Sequence, residues 1–275
     1  MTLYNVLFLC IDSVMFNQYS NNFAPAEPLK FTSTVINVPQ DAPSLMEAME
    51  LCRKLATERS RDLSSSEVVV NLDEGEHEVV GSWTSPHGPT HEQTIIDPNV
   101  HLKLVGTGTI IGGLVVENAE RLYMENLTVK NPSGPGIFVS GEGTYVSIHN
   151  VTFKECQQQG VYMNKGAHLN ASECQFIYNG SDGICFWGAT ADLYDCTSHH
   201  NRINGVAVNE GAVVNIYGTA TSVHHNRRDG LSAWHHGSII NIHEPCVNKD
   251  VSHDNKQDDF FATQGGHIFT INYGT

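Results

Sequence analysis

Glycine returns along this chain at nearly fixed intervals, at Gly113, Gly136, Gly160, Gly183, Gly205 and Gly230, with spacings of 23, 24, 23, 22 and 25 residues. From the second onward, each opens a similar phrase: Gly136-Ile-Phe-Val, Gly160-Val-Tyr-Met, Gly183-Ile-Cys-Phe, Gly205-Val-Ala-Val and Gly230-Leu-Ser-Ala. The first register begins Gly113-Leu-Val-Val, and a seventh starts at Asp259-Phe-Phe-Ala. A period of this length predicts a solenoid, in which each repeat buries its apolar face only against its neighbours. It constrains architecture far more than chemistry.

Within each repeat apolar and polar residues alternate, so the elements are strands. One side of the first strand carries Ile137/Val139, Val161/Met163, Ile184/Phe186, Val206/Val208 and Leu231/Ala233. A second stretch gives Val146/Ile148, Leu169/Ala171, Ala191/Leu193, Val214/Ile216 and Ile240/Ile242, and a third gives Val151/Phe153, Cys174/Phe176 and Cys196/Ser198. Three strands per turn describe a parallel β-helix whose coils stack at roughly 4.8 Å. Four or five residues before most of the glycines stand Asn131, Asn179, Asn201, Asn226 and Asn255, with Cys156 in one coil. Asparagine tolerates the left-handed conformation at bends. Stacked from coil to coil, such amides can also pair N–H with C=O.

On these residues the chain, from about Val35 to Asn272, resembles the right-handed parallel β-helix proteins of the pectin-lyase-like superfamily. The resemblance implies an all-β, right-handed solenoid of about seven to eight coils with an N-terminal capping helix. The stretch from Val35 to Met49 resembles that superfamily's opening strand and amphipathic cap. Ser44 is the expected helix N-cap, with Glu47 completing a capping box. Leu45, Ala48, Met49, Cys52 and Leu55 then form an apolar stripe that seals the solenoid end. Glu67-Val-Val-Val-Asn-Leu and Glu78-Val-Val are the expected strands of the first coil. The domain reading is a leader arm over 1–34 and a β-helix over 35–275. Within it, the opening strand and cap helix occupy 35–66 and the coils 67–275.

Thirty acidic residues against fifteen basic give a formal charge of −15, which disfavours nucleic acid, anionic membranes and polyanionic sugars as partners. Seven dispersed cysteines without a CxxC predict free thiols; Cys174 and Cys196 fall on an inward column. The first ten residues lack a basic n-region and are too short for a membrane span. Despite Asn-x-Ser/Thr sequons at Asn126, Asn150, Asn170 and Asn179, the expectation is an intracellular protein, with secretion the alternative.

Three features bear on function. Aligning coils on the asparagines stacks His199/His224/His253 and, beside them, His200/His225/Asp254. The first column should face outward. Imidazoles one coil apart suit a divalent metal or a general base, although repeated turn geometry alone also places polar residues there. Next, the outward side of the first strand carries Phe138, Tyr162, Cys185, Ala207 and Ser232, then Ser140, Asn164, Trp187, Asn209 and Trp234. Exposed Tyr162, Trp187 and Trp234 suit stacking on sugar rings or a protein interface. The following strand presents Ser147, Asn170, Asp192, Asn215 and Asn241 beside His149, Ser172, Tyr194, Tyr217 and His243, which together with the aromatic strip would make one shallow saccharide surface. Last, Gly106-Thr-Gly-Thr-Ile-Ile-Gly-Gly113 resembles the glycine-rich turn of β-helix glycoside hydrolases, but Ile111 stands where an aspartate is common and the expected downstream aspartate pairs and Gly-His-Gly turn are missing.

The short-looped repeats resemble the non-catalytic β-helix segments of some ubiquitin-ligase adaptors and surface proteins. The expectation is therefore a binding or scaffold module that presents a flat face to a polysaccharide or protein partner. No cofactor is expected, though a divalent metal is possible. The alternative is a polysaccharide lyase, hydrolase or epimerase drawing its acid/base groups from His199, His224, His253, Asp229 and Asp254. Two titratable groups with perturbed pKa values on one groove would favour that alternative. Phe260, Phe261, Ile268, Phe269 and Ile271 make the last coil apolar, so a homo-oligomer through that end is a further expectation.

Overall fold

The computed structural model describes residues 34–58, 67–79, 82–84, 90–95, 101–117, 121–246 and 248–273. The leader arm expected over residues 1–34 lies, but for residue 34, outside the described residues. The helix Leu45–Glu58 starts where expected, with the Glu47 N–H donating to Ser44 Oγ at 3.2 Å. Its Leu45, Ala48, Met49 and Cys52 face inward and are buried.

From Gly113 to Ile271 the chain winds through a parallel β-helix of seven coils. The first sheet takes the strand after each repeat glycine, from Gly113–Glu117 to Phe260–Thr263. The second takes Arg121–Glu125 through His267–Ile271, and the third takes Thr128–Lys130 through Ser252–His253. Pairing is in register from coil to coil, so equivalent residues stack directly: Ile184↔Val206, Ala191↔Val214, Phe153↔Phe176. The three expected inward columns are all buried and merge into one continuous core. Phe153 and Phe176 stack within it, their ring centres 5.6 Å apart. Burying each such ring stabilises the fold by about 2 kcal/mol.

One local expectation needs correction. The first-coil strand is Glu76–Glu78, two residues earlier than expected. Its partner Thr109–Ile111 stops at Gly112, which turns with φ +113°, so the pairing cannot run past Val79. The longest insertion, between His243 and Ser252, contains a second, four-residue helix, Asn248–Val251.

The asparagine column forms a hydrogen-bonded ladder inside the corner between the third and first sheets. The backbone N–H and side-chain Nδ2 of Asn179 both donate to Asn201 Oδ1, at 3.1 and 3.0 Å. Asn201 repeats this to Asn226, and Asn226 to Asn255. Asp259 ends the series by accepting both Asn255 donors through Oδ1. The left-handed conformation expected of the asparagines belongs instead to the residues before Asn179, Asn201, Asn226 and Asn255, and before Cys156: Tyr178, His200, His225, Asp254 and Glu155 all have φ between 54° and 58°. The asparagine itself is thereby turned inward.

The glycine period follows from this ladder. A Cβ on Gly160, Gly183, Gly205 or Gly230 would lie within 3.0 Å of the neighbouring asparagine Nδ2 and within 2.9 Å of a backbone oxygen one coil on. Only glycine leaves room for the amide.

Candidate functional site

The outward side of the first sheet differs from expectation. Phe138, Cys185, Ala207 and Ser232 are buried, although Phe138, Cys185 and Ala207 lie outside the lumen core. Alternation identifies the side a residue faces, not whether that side is open. Of the aromatic strip, Trp187 is exposed, while Tyr162 and Trp234 are half-buried. The Tyr162 ring stacks on Phe138, and the Trp234 ring faces the Arg228 guanidinium at 5.1 Å.

Beside this strip runs a polar column that sequence reasoning missed apart from Asp229. The residue before each repeat glycine supplies Asp182, Asn204 and Asp229, all buried. Asp182 Oδ1 accepts from the Asn204 N–H and Nδ2, and Asn204 Oδ1 accepts from the Asp229 N–H. Burial raises the Asp182 pKa against those hydrogen bonds. Burial also raises that of Asp229, against the Arg228 charge. Asp229 is 1% exposed, neither carboxylate oxygen has a hydrogen bond, and Arg228 Nε is its ion-pair partner at 3.4 Å. The available signal was positional: a polar residue at one fixed offset from the glycine in successive coils.

An aspartate whose native pKa lies above its unfolded value destabilises the fold where the native group must ionise, and this cost vanishes once pH falls below the unfolded pKa. Asp229→Asn, which fills the same space with no group to ionise, is therefore expected to stabilise the protein at pH 7. The gain should shrink as pH drops through the acidic range. Urea unfolding at pH 7 and pH 4 checks this; destabilisation at pH 7 would instead make the carboxylate a structural partner.

The second sheet turns a flat, accessible side outward. Asn215 Nδ2 donates to Asp192 Oδ1 at 2.8 Å, and Asn241 Nδ2 donates to Asn215 Oδ1 at 3.0 Å. Asn170 pairs in register with Asp192 in the preceding coil. Alongside, the rings of Tyr194, Tyr217, His243 and Tyr273 stack in series, with centres 4.6, 4.3 and 5.8 Å apart. Burial, then the charge of Asp192, pushes the Tyr217 phenol up to about 12. At the other margin a shallow depression of about 270 Å³ is lined by Arg121, Tyr145 and His168 with Gly143, Thr144 and Gly166. His168 Nε2 lies 3.7 Å from Asp192 Oδ2.

The expected single saccharide surface is thus two surfaces. Tyr162, Trp187 and Trp234 belong to the first sheet and Asn170, Asp192, Asn215 and Asn241 to the second. The tight corners between them, with left-handed Gly166, Gly188 and Gly211, turn the chain onto another face.

The third sheet places His199, His224 and His253 outward and in register, as expected. Burial, and then His224, His200 and His225, lower the His199 pKa to about 4, so that ring stays neutral. Asp254 is exposed and held ionised by its hydrogen bond to His253. The expected acid/base set therefore divides: the histidines and Asp254 share the third sheet and its corner, while Asp229 stands at the head of the first. Among the described residues, no group of three or more His, Cys, Asp or Glu side chains stands ready to hold a metal ion as it is. Six described cysteines are free thiols, and no described helix is long and apolar enough to cross a membrane.

Residues 107–245 match the family described as "Right handed beta helix region". The chain belongs to that right-handed β-helix family. Among solved structures, the β-helix resembles pectate lyase Pel9A, with 8% identity and a TM-score of 0.42 over 88% of this chain and 78% of that one. It also resembles the Agl-KA catalytic domain, with 12% identity and a TM-score of 0.35 over 90% and 68%. A search of curated proteins gave no match.

Proposed function

We propose that this β-helix binds a neutral, hydroxyl-rich polysaccharide along the outer side of its second sheet. The observation that carries this reading is the ladder Asp192–Asn215–Asn241. Each amide there spends one N–H on the preceding coil and keeps a second, so donors recur at roughly 4.8 Å along the solenoid. A polymer of hydroxyls meets such a row with many equivalent hydrogen bonds. The rings beside it have spent their faces on one another and offer edges and hydroxyls, which favours hydrogen bonding over ring stacking. The charge of −15 disfavours polyanions.

A glycan array run on wild type, Asp192→Ala/Asn215→Ala and Trp187→Ala/Trp234→Ala tests this. The first double variant is expected to lose binding at least tenfold, while the tryptophan variant keeps it. The reverse pattern would move the site to the first sheet. No glycan bound by wild type would overturn the reading in favour of a protein partner.

A hydrolytic role is the second reading, favoured by Asp182 and Asp229. Both carboxyls have raised pKa values and share one buried column two coils apart. That is roughly 9.6 Å along the axis, close to the separation at which an inverting pair admits a water. Asp229, whose pKa burial raises, would serve as the acid. Reducing-sugar release from the captured glycan, abolished by Asp229→Asn, would establish hydrolysis, and no release by wild type would exclude it for that glycan.

A further inference from the structure

The two histidine columns meet across adjacent coils in a square of four imidazoles. The ring centres of His199 and His224 lie 4.7 Å apart, and those of His200 and His225 5.3 Å. Within each coil the spacings are 5.0 Å for His199–His200 and 4.9 Å for His224–His225. Rings on one coil stand edge to face, and rings on successive coils are parallel. Nδ1 of His199 meets Nδ1 of His200 at 2.8 Å, and Nδ1 of His224 meets Nδ1 of His225 at 2.7 Å. Within each coil the two Nδ1 atoms therefore face one another across the gap between the columns.

Such a contact is a hydrogen bond only if one ring donates an N–H and the other offers a lone pair. Each coil thus holds a pair of imidazoles locked on one another by a single proton. The lock rests on a rigid support. His200 and His225 sit in the left-handed corner, and each is followed directly by a ladder asparagine, Asn201 or Asn226, that is fully tied down.

We propose that this square is a binding site for a borderline divalent transition-metal ion, such as zinc, nickel or copper, with His199, His200, His224 and His225 as its ligands. Two Nδ1 pairs of this width, stacked one coil spacing of about 4.8 Å apart, place each nitrogen roughly 2.8 Å from their common centre. A zinc–imidazole bond needs about 2.0–2.1 Å. The resting arrangement is thus too wide by less than an ångström, and binding requires each ring to swing from its in-coil contact toward the neighbouring coil. The bound cation takes the place of the two bridging protons, and each ring then carries its proton on Nε2. An all-imidazole set selects such ions over calcium or magnesium, which demand oxygen. Neutral imidazoles are the binding form, so protons compete with the metal for them.

The third rung marks the limit of the site. Asp254 stands where a further imidazole would, His253 Nδ1 is 2.9 Å from Asp254 Oδ2, and its Nε2 is 3.2 Å from Ser222 Oγ. His253 has both nitrogens engaged and serves as an internal control.

Equilibrium dialysis of the full chain against zinc, and separately against calcium, tests the proposal. One zinc and no calcium per chain is expected at neutral pH, with affinity falling as protons compete for the imidazoles. His224→Ala and His200→Asn should each weaken zinc binding at least tenfold; asparagine tolerates the left-handed backbone at 200. His253→Asn should leave it within twofold. Circular dichroism melts confirm that the variants are folded, as the half-exposed rings lead one to expect. Absence of zinc binding would overturn the proposal. So would binding unchanged in both His224→Ala and His200→Asn, since other histidines among the fifteen would then hold the ion.

Discussion

Gly183→Ala is expected to lower stability by about 3 kcal/mol, although it adds a single methyl group. The new Cβ would lie 2.1 Å from Ser198 Oγ, 2.7 Å from the Gly205 carbonyl oxygen and 2.8 Å from Asn201 Nδ2. None of the three is free to retreat. Ser198 Oγ donates to the Gly205 carbonyl at 2.8 Å and accepts from Asn201 Nδ2 at 3.1 Å, so moving it breaks two buried hydrogen bonds. The corresponding drop in midpoint is about 10 °C for a domain of this size. Gly211→Ala is the matched control. That glycine has φ +76° but open space around it, so alanine there should cost only about 1 kcal/mol of backbone strain. Equal losses at the two sites, measured by thermal melts, would show that conformation and not crowding accounts for the repeat glycines.

Asn201→Ala should cost more, about 4 kcal/mol. Asn201 is wholly buried at the middle of its ladder. Its Oδ1 accepts from the Asn179 N–H and Nδ2, while its Nδ2 donates toward the Phe176 carbonyl, Ser198 Oγ and Asn226 Oδ1. Alanine leaves the two Asn179 donors facing apolar surroundings without water to take them up. Because each amide polarises the next, the loss should exceed that of one isolated bond. A loss below 1 kcal/mol in urea unfolding would mean that the ladder is decorative.

The inward architecture was legible because it repeats. A column such as Val161, Ile184, Val206 and Leu231 recurs at a fixed offset from the glycine, and all four residues are buried as the offset requires. The asparagine ladder was legible for the same reason. What was not legible depends on closure between segments distant in sequence. Cys185 and Ala207 obey the outward register yet are buried, because alternation describes a strand and not its cover. Trp187 and Asp192 are five residues apart and looked like one surface, but the left-handed Gly188 between them sends the chain onto a second face. Asp182 went unnoticed because an aspartate before a glycine reads as an ordinary turn. Only the Asn204 bonds, from the next coil, reveal it as part of a column.

Cys156 has a consequence for how the solenoid comes apart. It donates its backbone N–H to Asn179 Oδ1 but has no amide with which to extend the chain of bonds upstream, and Asn131 instead closes its own turn onto Ser133, Gly134 and Pro135. Coils from Asn179 to Asp259 are therefore joined by one continuous spine of buried side-chain bonds, whereas those before Cys156 are joined by backbone pairing, the core and separate outer links such as Asn150 Nδ2 to Asn126 Oδ1 and Lys130 to Glu155. In a linear array, where stability is a sum of nearest-neighbour couplings, a weak coupling divides one cooperative unit into two. The C-terminal coils, which carry the imidazole square and the ladder of the second sheet, then open and close together, so that amide exchange there would report on both surfaces as a single event.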